Sequence, residues 1–194
     1  MVQATKFAVD PLWRLVLKDI GVNENEVLKR AQLPRDLFSQ KNASLSVVEY
    51  FRLWEGLEKS LNDPSFPLLV GQMISTESFS PPIFASLCSP NLNVAMERLS
   101  RYKKLIGPMT LRVEKDTEGT TISLDCLFSE NPLPDSLIAT ELVFLVHLVR
   151  LATREQINPL FVSSSSSWFK RSDYAAYFGI KPSVGNKHQL RING

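Results

Sequence analysis

The chain has 194 residues, of which 44% are hydrophobic and 22% charged, so it is long enough for one substantial core. Its formal net charge of +2 gives no support to a surface that grips nucleic-acid phosphates. Two cysteines, Cys88 and Cys126, lie in apolar stretches without metal-ligand spacing, which favours a reducing compartment.

No secretory or membrane segment is predicted. The N-terminus lacks a long apolar stretch followed by small residues at a cleavage site. The longest apolar stretch, 137–152, contains Glu141, His147 and Arg150, so it falls short of the roughly 18–20 uncharged residues of a membrane span. We therefore expect a soluble, cytoplasmic protein.

The predicted elements begin with two short helices. Asp10 and Pro11 are typical of an N-cap followed by proline at the first helical position. Asn23 and Glu26 have the spacing of a weak capping box, and the helix they open should end before Pro34. The first of these helices could equally belong to the core or to a dimer contact.

A third helix has the clearest signal. Ser46 and Glu49 have capping-box spacing, and apolar residues follow at helical intervals. This apolar stripe consists of Val47, Tyr50, Phe51, Trp54, Leu57 and Leu61.

Three further helices are expected before residue 108. Asp63-Pro64 restarts one and Ser80-Pro81 opens another. Asn91 caps the last of them, which ends at Gly107 and should direct Leu92, Ala95, Met96, Leu99 and Tyr102 inward.

After Pro108 the apolar period changes from 3.6 to 2. Segments 109–114 and 120–127 alternate and flank a turn at 116–119, which predicts a β-hairpin with Ile122, Leu124 and Cys126 facing the core. A long helix follows at about 136–155. Its apolar face should hold Ile138, Leu142, Leu145, Val146, Val149 and Ala152.

The remaining elements are short. We expect a strand at 159–162, a polar serine loop at 163–167, a helix capped by Ser172 or Asp173, and a closing strand at 189–192. The prediction is one α+β domain. A helical N-terminal half, about 10–107, joins a small, mainly antiparallel sheet backed by a long helix, about 108–194.

Several short motifs occur in a fixed order along the chain. They are Gly21-Val22, Val27-Leu28, Ala31-Gln32-Leu33-Pro34, Leu53-Trp54, Asp63-Pro64, Gly71, 84–92, Arg101-Tyr102, 159–162 and Tyr177-Phe178-Gly179. Their order resembles the N-terminal regulatory domain of AraC-type transcription regulators, in the arabinose-binding-like subgroup that includes ornithine- and virulence-type regulators. The likeness covers roughly 21–192, and departures include Gln32, where the subgroup more often has glycine.

This resemblance implies a bacterial domain, 1–194, that senses a small-molecule effector and forms a homodimer. In complete regulators two helix-turn-helix units bind DNA, and nothing in this sequence resembles them. We therefore expect DNA to be bound only through a C-terminal domain absent from this chain.

Two groups of residues are candidates for effector binding. Trp54, Phe84 and Tyr102 belong to an aromatic set that could line a pocket. For any single member, packing in the core is the favoured interpretation. The full set is Tyr50, Phe51, Trp54, Phe79, Phe84 and Tyr102.

The second group lies on one stripe of the long helix. Thr140, His147 and Arg154 are seven residues apart and could supply polar anchors. The favoured alternative for His147 is a partly exposed residue on the solvent face of an amphipathic helix.

Catalytic, metal and cofactor sites are not expected. The sequence has no nucleophile elbow, phosphate-binding loop or metalloprotease motif, and neither of its two histidines has a cysteine nearby. The basic run Arg98, Arg101, Lys103 and Lys104 is interpreted as a solvated helix face. The alternative to effector sensing is a stand-alone protein-interaction module without an effector pocket.

Overall fold

The structure is a computed structural model that describes residues 6–73, 81–128 and 132–193. It has an α+β architecture, as expected. Phe79 and Ser80 lie outside the described residues, but the helix predicted to open at Ser80-Pro81 is present at Pro81–Leu87. The elements are β1 (Lys6–Ala8), α1 (Trp13–Asp19), α2 (Glu24–Ala31), β2 (Ser44–Ser46), α3 (Val47–Leu61), α4 (Phe66–Val70), α5 (Pro81–Leu87), α6 (Leu92–Ile106), β3 (Met109–Lys115), β4 (Gly119–Cys126), α7 (Asp135–Thr153), β5 (Phe161–Ser164), α8 (Ser172–Phe178), β6 (Ser183–Val184) and β7 (His188–Asn193), with 3-10 turns at Leu37–Ser39 and Ser167–Lys170.

The predicted helix starts are largely confirmed. At α3 the capping box is complete, because the Ser46 hydroxyl accepts from the Glu49 N–H at 3.3 Å while the Glu49 carboxylate accepts from the Ser46 N–H at 2.8 Å. These hydrogen bonds from Ser46 hold the pKa of Glu49 below its usual value. At α6 the Asn91 side chain accepts from the Val94 N–H at 3.0 Å.

The first helix starts later than predicted. Asp10 accepts from the Leu12 N–H at 2.9 Å and so caps a turn, and α1 begins only at Trp13. Two strands were also missed. Antiparallel β1 and β2, paired at Phe7 and Leu45, have three residues each, which is too short for a period of two to be recognised.

The long helix α7 is the centre of the fold. It was predicted to have an apolar and a polar face, and this was wrong, because every residue from Ser136 to Val146 is buried. Helices α3, α4, α5 and α6 pack against it, as does strand β7. Its length and composition would also suit a membrane span, but 72% of the apolar window is buried inside the domain, so its position in the core accounts for its composition.

The main sheet has five strands in the order β3, β4, β7, β5, β6. All neighbouring pairs are antiparallel except β5 and β6. The predicted hairpin is confirmed, with Met109 opposite Cys126, and Ile122 and Leu124 are fully buried while Cys126 is half-buried.

The C-terminal part of the sheet differs from expectation in two ways. The last strand, β7, lies in the middle of the sheet and pairs with both β4 and β5. The serine run is not a loop throughout, because Ser163 and Ser164 belong to β5 and are buried, and Ser166 caps the following 3-10 turn.

Candidate functional site

A cavity of about 300 Å³ lies among the helices. Its walls come from α1, α3, α6 and α7, and from residues in and next to α4 and α5. The exposed residues Asp10, Leu15 and Asp19 contribute to the lining from the α1 side. The apolar walls are formed mainly by Trp13, Val16, Trp54, Ile83, Ile106 and Phe144.

A buried ion pair forms part of the cavity lining. Lys103 Nζ on α6 lies 2.5 Å from Glu141 Oε2 on α7, and the two side chains are only 4% and 10% exposed. The ammonium group also lies 5.5 Å from the centre of the Phe144 ring. Both charges are therefore balanced inside the protein, where water contributes little screening.

The position of Lys103 corrects the sequence analysis. Lys103 was placed on a solvated face and Tyr102 on the inward stripe, and both assignments were wrong, since Lys103 is 3% exposed and Tyr102 is 41% exposed. Met96, Leu99 and Lys103 follow helical spacing, so the inward stripe of α6 continues to Lys103. The helical spacing of these residues is visible in the sequence, but the charge of the lysine led to the prediction that it is exposed.

Two aromatic residues of α3 face this cavity. Trp54 is 3% exposed and meets Trp13 of α1 edge to face, with ring centres 5.4 Å apart. Removal from water raises the pKa of Tyr50 well above its usual value, and the nearby Glu141 carboxylate raises it further, whereas the Trp54 indole acts in the opposite direction. Tyr50 is therefore a neutral hydroxyl group at physiological pH.

Two polar atoms of the lining residues are buried without a full hydrogen bond to any described residue. They are the indole nitrogen Nε1 of Trp54 and the hydroxyl oxygen Oγ1 of Thr140. A buried donor or acceptor that lacks a partner costs roughly 1–3 kcal/mol. Trp54 and Thr140 are therefore candidates for hydrogen bonds to a molecule bound in the cavity.

The structure distributes the six predicted effector residues over several places. Trp54 and Thr140 line the cavity. Phe84 and Tyr102 do not line it, and they are 57% and 41% exposed.

His147 and Arg154 line a separate surface groove next to Arg150 and Tyr177. Seven residues of helix advance about 10 Å, so a stripe with this spacing extends beyond one small cavity. Arg154 also follows the end of α7 in a left-handed conformation, with φ of 58°.

A serine and a histidine meet at the far end of the sheet. The Ser164 hydroxyl lies 3.1 Å from His188 Nδ1 and also accepts from the Ser166 N–H at 3.1 Å. Ser164 is completely buried, so its hydroxyl organises the loop after β5 and is closed to a substrate. The thiols of Cys88 and Cys126 are both free.

Comparison with known families finds one that covers most of the chain. Residues 21–193 match the family described as the arabinose-binding domain of AraC transcription regulators, at their N-terminus. The chain belongs to this family. AraC-type arabinose-binding domains are regulatory ligand-binding domains rather than enzymes. None of the curated proteins matches the chain.

In this AraC-type domain, the family match and the cavity do not coincide completely. The match begins at residue 21, whereas α1 and the turn before it supply six of the cavity residues. One wall of the cavity, including Trp13 and Val16, thus lies outside the matched region.

Proposed function

We propose that this domain senses a small-molecule effector for an AraC-type transcription regulator, and that the cavity between α1, α3, α6 and α7 is the effector site. The observation that carries the proposal is the cavity itself. It is lined by Trp13, Tyr50 and Trp54, and two of its lining residues have buried polar atoms without partners. Ligand sites typically combine apolar walls with a few polar groups in this way.

The position of α7 supports a route by which a change of conformation at the cavity could reach the rest of the protein. Thr140, Glu141 and Phe144 of α7 line the cavity, and the same helix packs against β7 at the centre of the sheet. An effector that prefers one arrangement of α1, α6 and α7 would shift the population toward it. In this proposal the change is read in the cytoplasm by a helix-turn-helix domain that binds the operator.

Homodimer formation is part of the proposal. Two large aromatic side chains, Phe84 and Tyr102, are exposed on α5 and α6, and these two helices pack against each other. Exposed apolar surface of this kind is typical of an interface. Sedimentation velocity should show a dimer that Phe84→Arg weakens, and a monomer at tens of micromolar would contradict this part of the proposal.

Effector binding can be tested by thermal shift with a metabolite library and two matched variants. Ile106→Trp places an indole in the cavity, whereas Leu105→Trp adds the same group at the neighbouring position, which is 57% exposed and does not line the cavity. At a ligand concentration of 100 Kd the stabilisation is about 2.7 kcal/mol, which raises Tm by roughly 5–10 °C in a domain of this size.

We expect at least one metabolite to raise the Tm of the unmodified domain and of Leu105→Trp, but not that of Ile106→Trp. Equal shifts in all three proteins would place the binding site elsewhere. A library of amino acids, sugars, fatty acids and aromatic compounds that shifts none of them would favour the alternative function, a protein-interaction module.

A further inference from the structure

The charge balance of the cavity restricts what it can hold. Lys103 and Glu141 neutralise each other at 2.5 Å, and among the described residues they are the only buried charged ones in its lining. A ligand with net charge would enter this region without a counter-charge of its own, because both protein charges are already paired. An unpaired charge is unfavourable in a site of low dielectric, so a charged ligand is disfavoured.

Negative ligands meet an additional obstacle. Asp10 and Asp19 line the cavity from exposed positions, so its described lining residues hold three carboxylates against one ammonium group. These carboxylates disfavour the approach of an anion.

Positive ligands are opposed by different contacts. The Lys103 ammonium group already forms an ion pair with the carboxylate oxygen Oε2 of Glu141, and it lies 5.5 Å from the centre of the Phe144 ring. A second cation close to this carboxylate or this ring would lie close to a like charge. Asp10 and Asp19 would attract a cation, but they are exposed, and salt weakens their effect.

The unpartnered atoms specify the polar part of the ligand. An indole N–H can only donate, and the interaction of the Trp54 indole with the Tyr50 hydroxyl falls short of a full hydrogen bond, so the Trp54 Nε1 atom can still donate to an acceptor on the ligand. The Thr140 hydroxyl can donate or accept and therefore tolerates either. A carbonyl or hydroxyl oxygen would satisfy both.

We infer that this cavity selects an uncharged small molecule, and this inference rests on the proposed effector site. The molecule has an apolar body and a carbonyl or hydroxyl oxygen that acts as a hydrogen-bond acceptor. The apolar body lies between Trp13, Val16 and Phe144, and the oxygen accepts from Trp54.

Three probes of nearly identical shape test the inference. Benzamide is neutral and carries a carbonyl acceptor, benzoate is an anion, and benzamidinium is a cation. Binding to the full chain at pH 8 is followed by the indole N–H resonances in NMR titrations. Trp13 and Trp54 report on the cavity, and Trp168, in the 3-10 turn after β5, is an internal control because it does not line the cavity.

We expect benzamide to shift the Trp13 and Trp54 resonances and to bind at least about tenfold more tightly than either charged probe. If benzoate or benzamidinium binds there as tightly as benzamide, the inference on charge is overturned, while the proposed effector site stands. If none of the three shifts these resonances up to 20 mM, roughly the limit of useful affinity for fragments, both the inference and the proposed site are contradicted.

Charge variants of the buried pair make the test specific. Lys103→Met leaves Glu141 unpaired and should turn the preference toward benzamidinium, whereas Glu141→Gln leaves Lys103 unpaired and should turn it toward benzoate. The double variant Lys103→Met/Glu141→Gln has no buried charge and should again prefer benzamide. It keeps the test informative where a single variant fails to fold. An unchanged order of affinities in the folded single variants would overturn the role assigned to the pair.

Discussion

The helices around the cavity and the five-stranded sheet differ in whether their buried polar groups have hydrogen-bond partners. Five buried side-chain atoms lack a hydrogen-bond partner among the described residues, and all five lie on α3 and α7: Arg52 Nε, Trp54 Nε1, Ser60 Oγ, Ser136 Oγ and Thr140 Oγ1. On the sheet, the Thr120 hydroxyl donates to Asn93 at 2.6 Å and Ser164 pairs with His188.

This difference separates the roles of the two regions. Polar groups that satisfy one another rigidify a structure and specify one arrangement. Polar groups that lack partners lower stability, and two of the five atoms, on Trp54 and Thr140, belong to residues that line the cavity. The sheet therefore resembles a rigid scaffold whose polar groups are hydrogen-bonded. The helical layer resembles a binding site in which a ligand supplies hydrogen bonds.

The largest expected effect comes from the buried ion pair of the helical layer. Lys103→Met leaves the Glu141 carboxylate unpaired inside the protein and should lower the free energy of unfolding by about 3–5 kcal/mol. Urea denaturation followed by circular dichroism measures this loss.

The sheet offers a matched control at the same distance. Lys115 Nζ lies 2.5 Å from Glu97 Oε1, but both side chains are exposed to solvent. Lys115→Met should therefore cost less than about 1 kcal/mol. If the two variants lost equal stability, the distinction between a buried and an exposed pair would be wrong.

A second contrast concerns one closely packed glycine in each region, Gly119 in the sheet and Gly71 after α4. A methyl group at Gly119 of β4 would collide with the backbone carbonyl of Ile192 in β7, which cannot move without disturbing the sheet. At Gly71, after α4, it would lie 2.6 Å from Cγ1 of the Val143 side chain and 2.9 Å from the backbone oxygen of Thr140. Overpacking costs roughly 1–3 kcal/mol, so we expect Gly119→Ala near the upper end and Gly71→Ala lower.

Chemical denaturation of both glycine variants measures the difference. A greater loss for Gly71→Ala would show that α7 is packed more rigidly against α4 than the strands are against each other.

Two threonines should respond with opposite signs. Thr140→Val removes a buried hydroxyl that lacks a partner and should stabilise the ligand-free domain by about 1 kcal/mol. Thr120→Val removes a hydroxyl that donates to Asn93 and should cost about 1 kcal/mol. Melting temperatures measured without ligand compare the two, and a loss of stability in Thr140→Val would show that its hydroxyl has a partner after all.

The smallest effect is expected from pH. Burial lowers the pKa of His188, while the Asp125 and Asp135 carboxylates act in the opposite direction. The unfolded chain then binds a proton more readily than the folded domain, so stability is lost as the pH falls below about 6.5, the ordinary histidine value.

The pH effect is measured as the Tm between pH 8 and pH 5. His188→Gln should flatten the profile in that range. A profile that stays equally steep in His188→Gln would assign the proton to another group.

Local signals in the sequence were sufficient to predict the framework of the fold. The capping box at Ser46 and Glu49 and the hairpin around 116–119 depend on neighbouring residues, and both formed as predicted. The central position of β7 and the pairing of β1 with β2 depend on contacts between distant segments, which no local period encodes.

The cavity was predicted only in part for a similar reason. Trp54 and Thr140 were chosen for their polar atoms, and they do line it. Lys103 was missed because a lysine is rarely buried unless it is paired, and its partner Glu141 lies 38 positions away in the chain.

The central position of β7 has a consequence for the order in which the domain folds. On the ribosome, residues 188–193 emerge after every other element of the sheet, yet β4 and β5 can join only through them. Until then the hairpin β3–β4 and the pair β5–β6 have no hydrogen bonds to each other and expose unpaired edges. The nascent chain therefore depends on its last strand to join the two parts of the sheet and to complete the surface on which α7 packs.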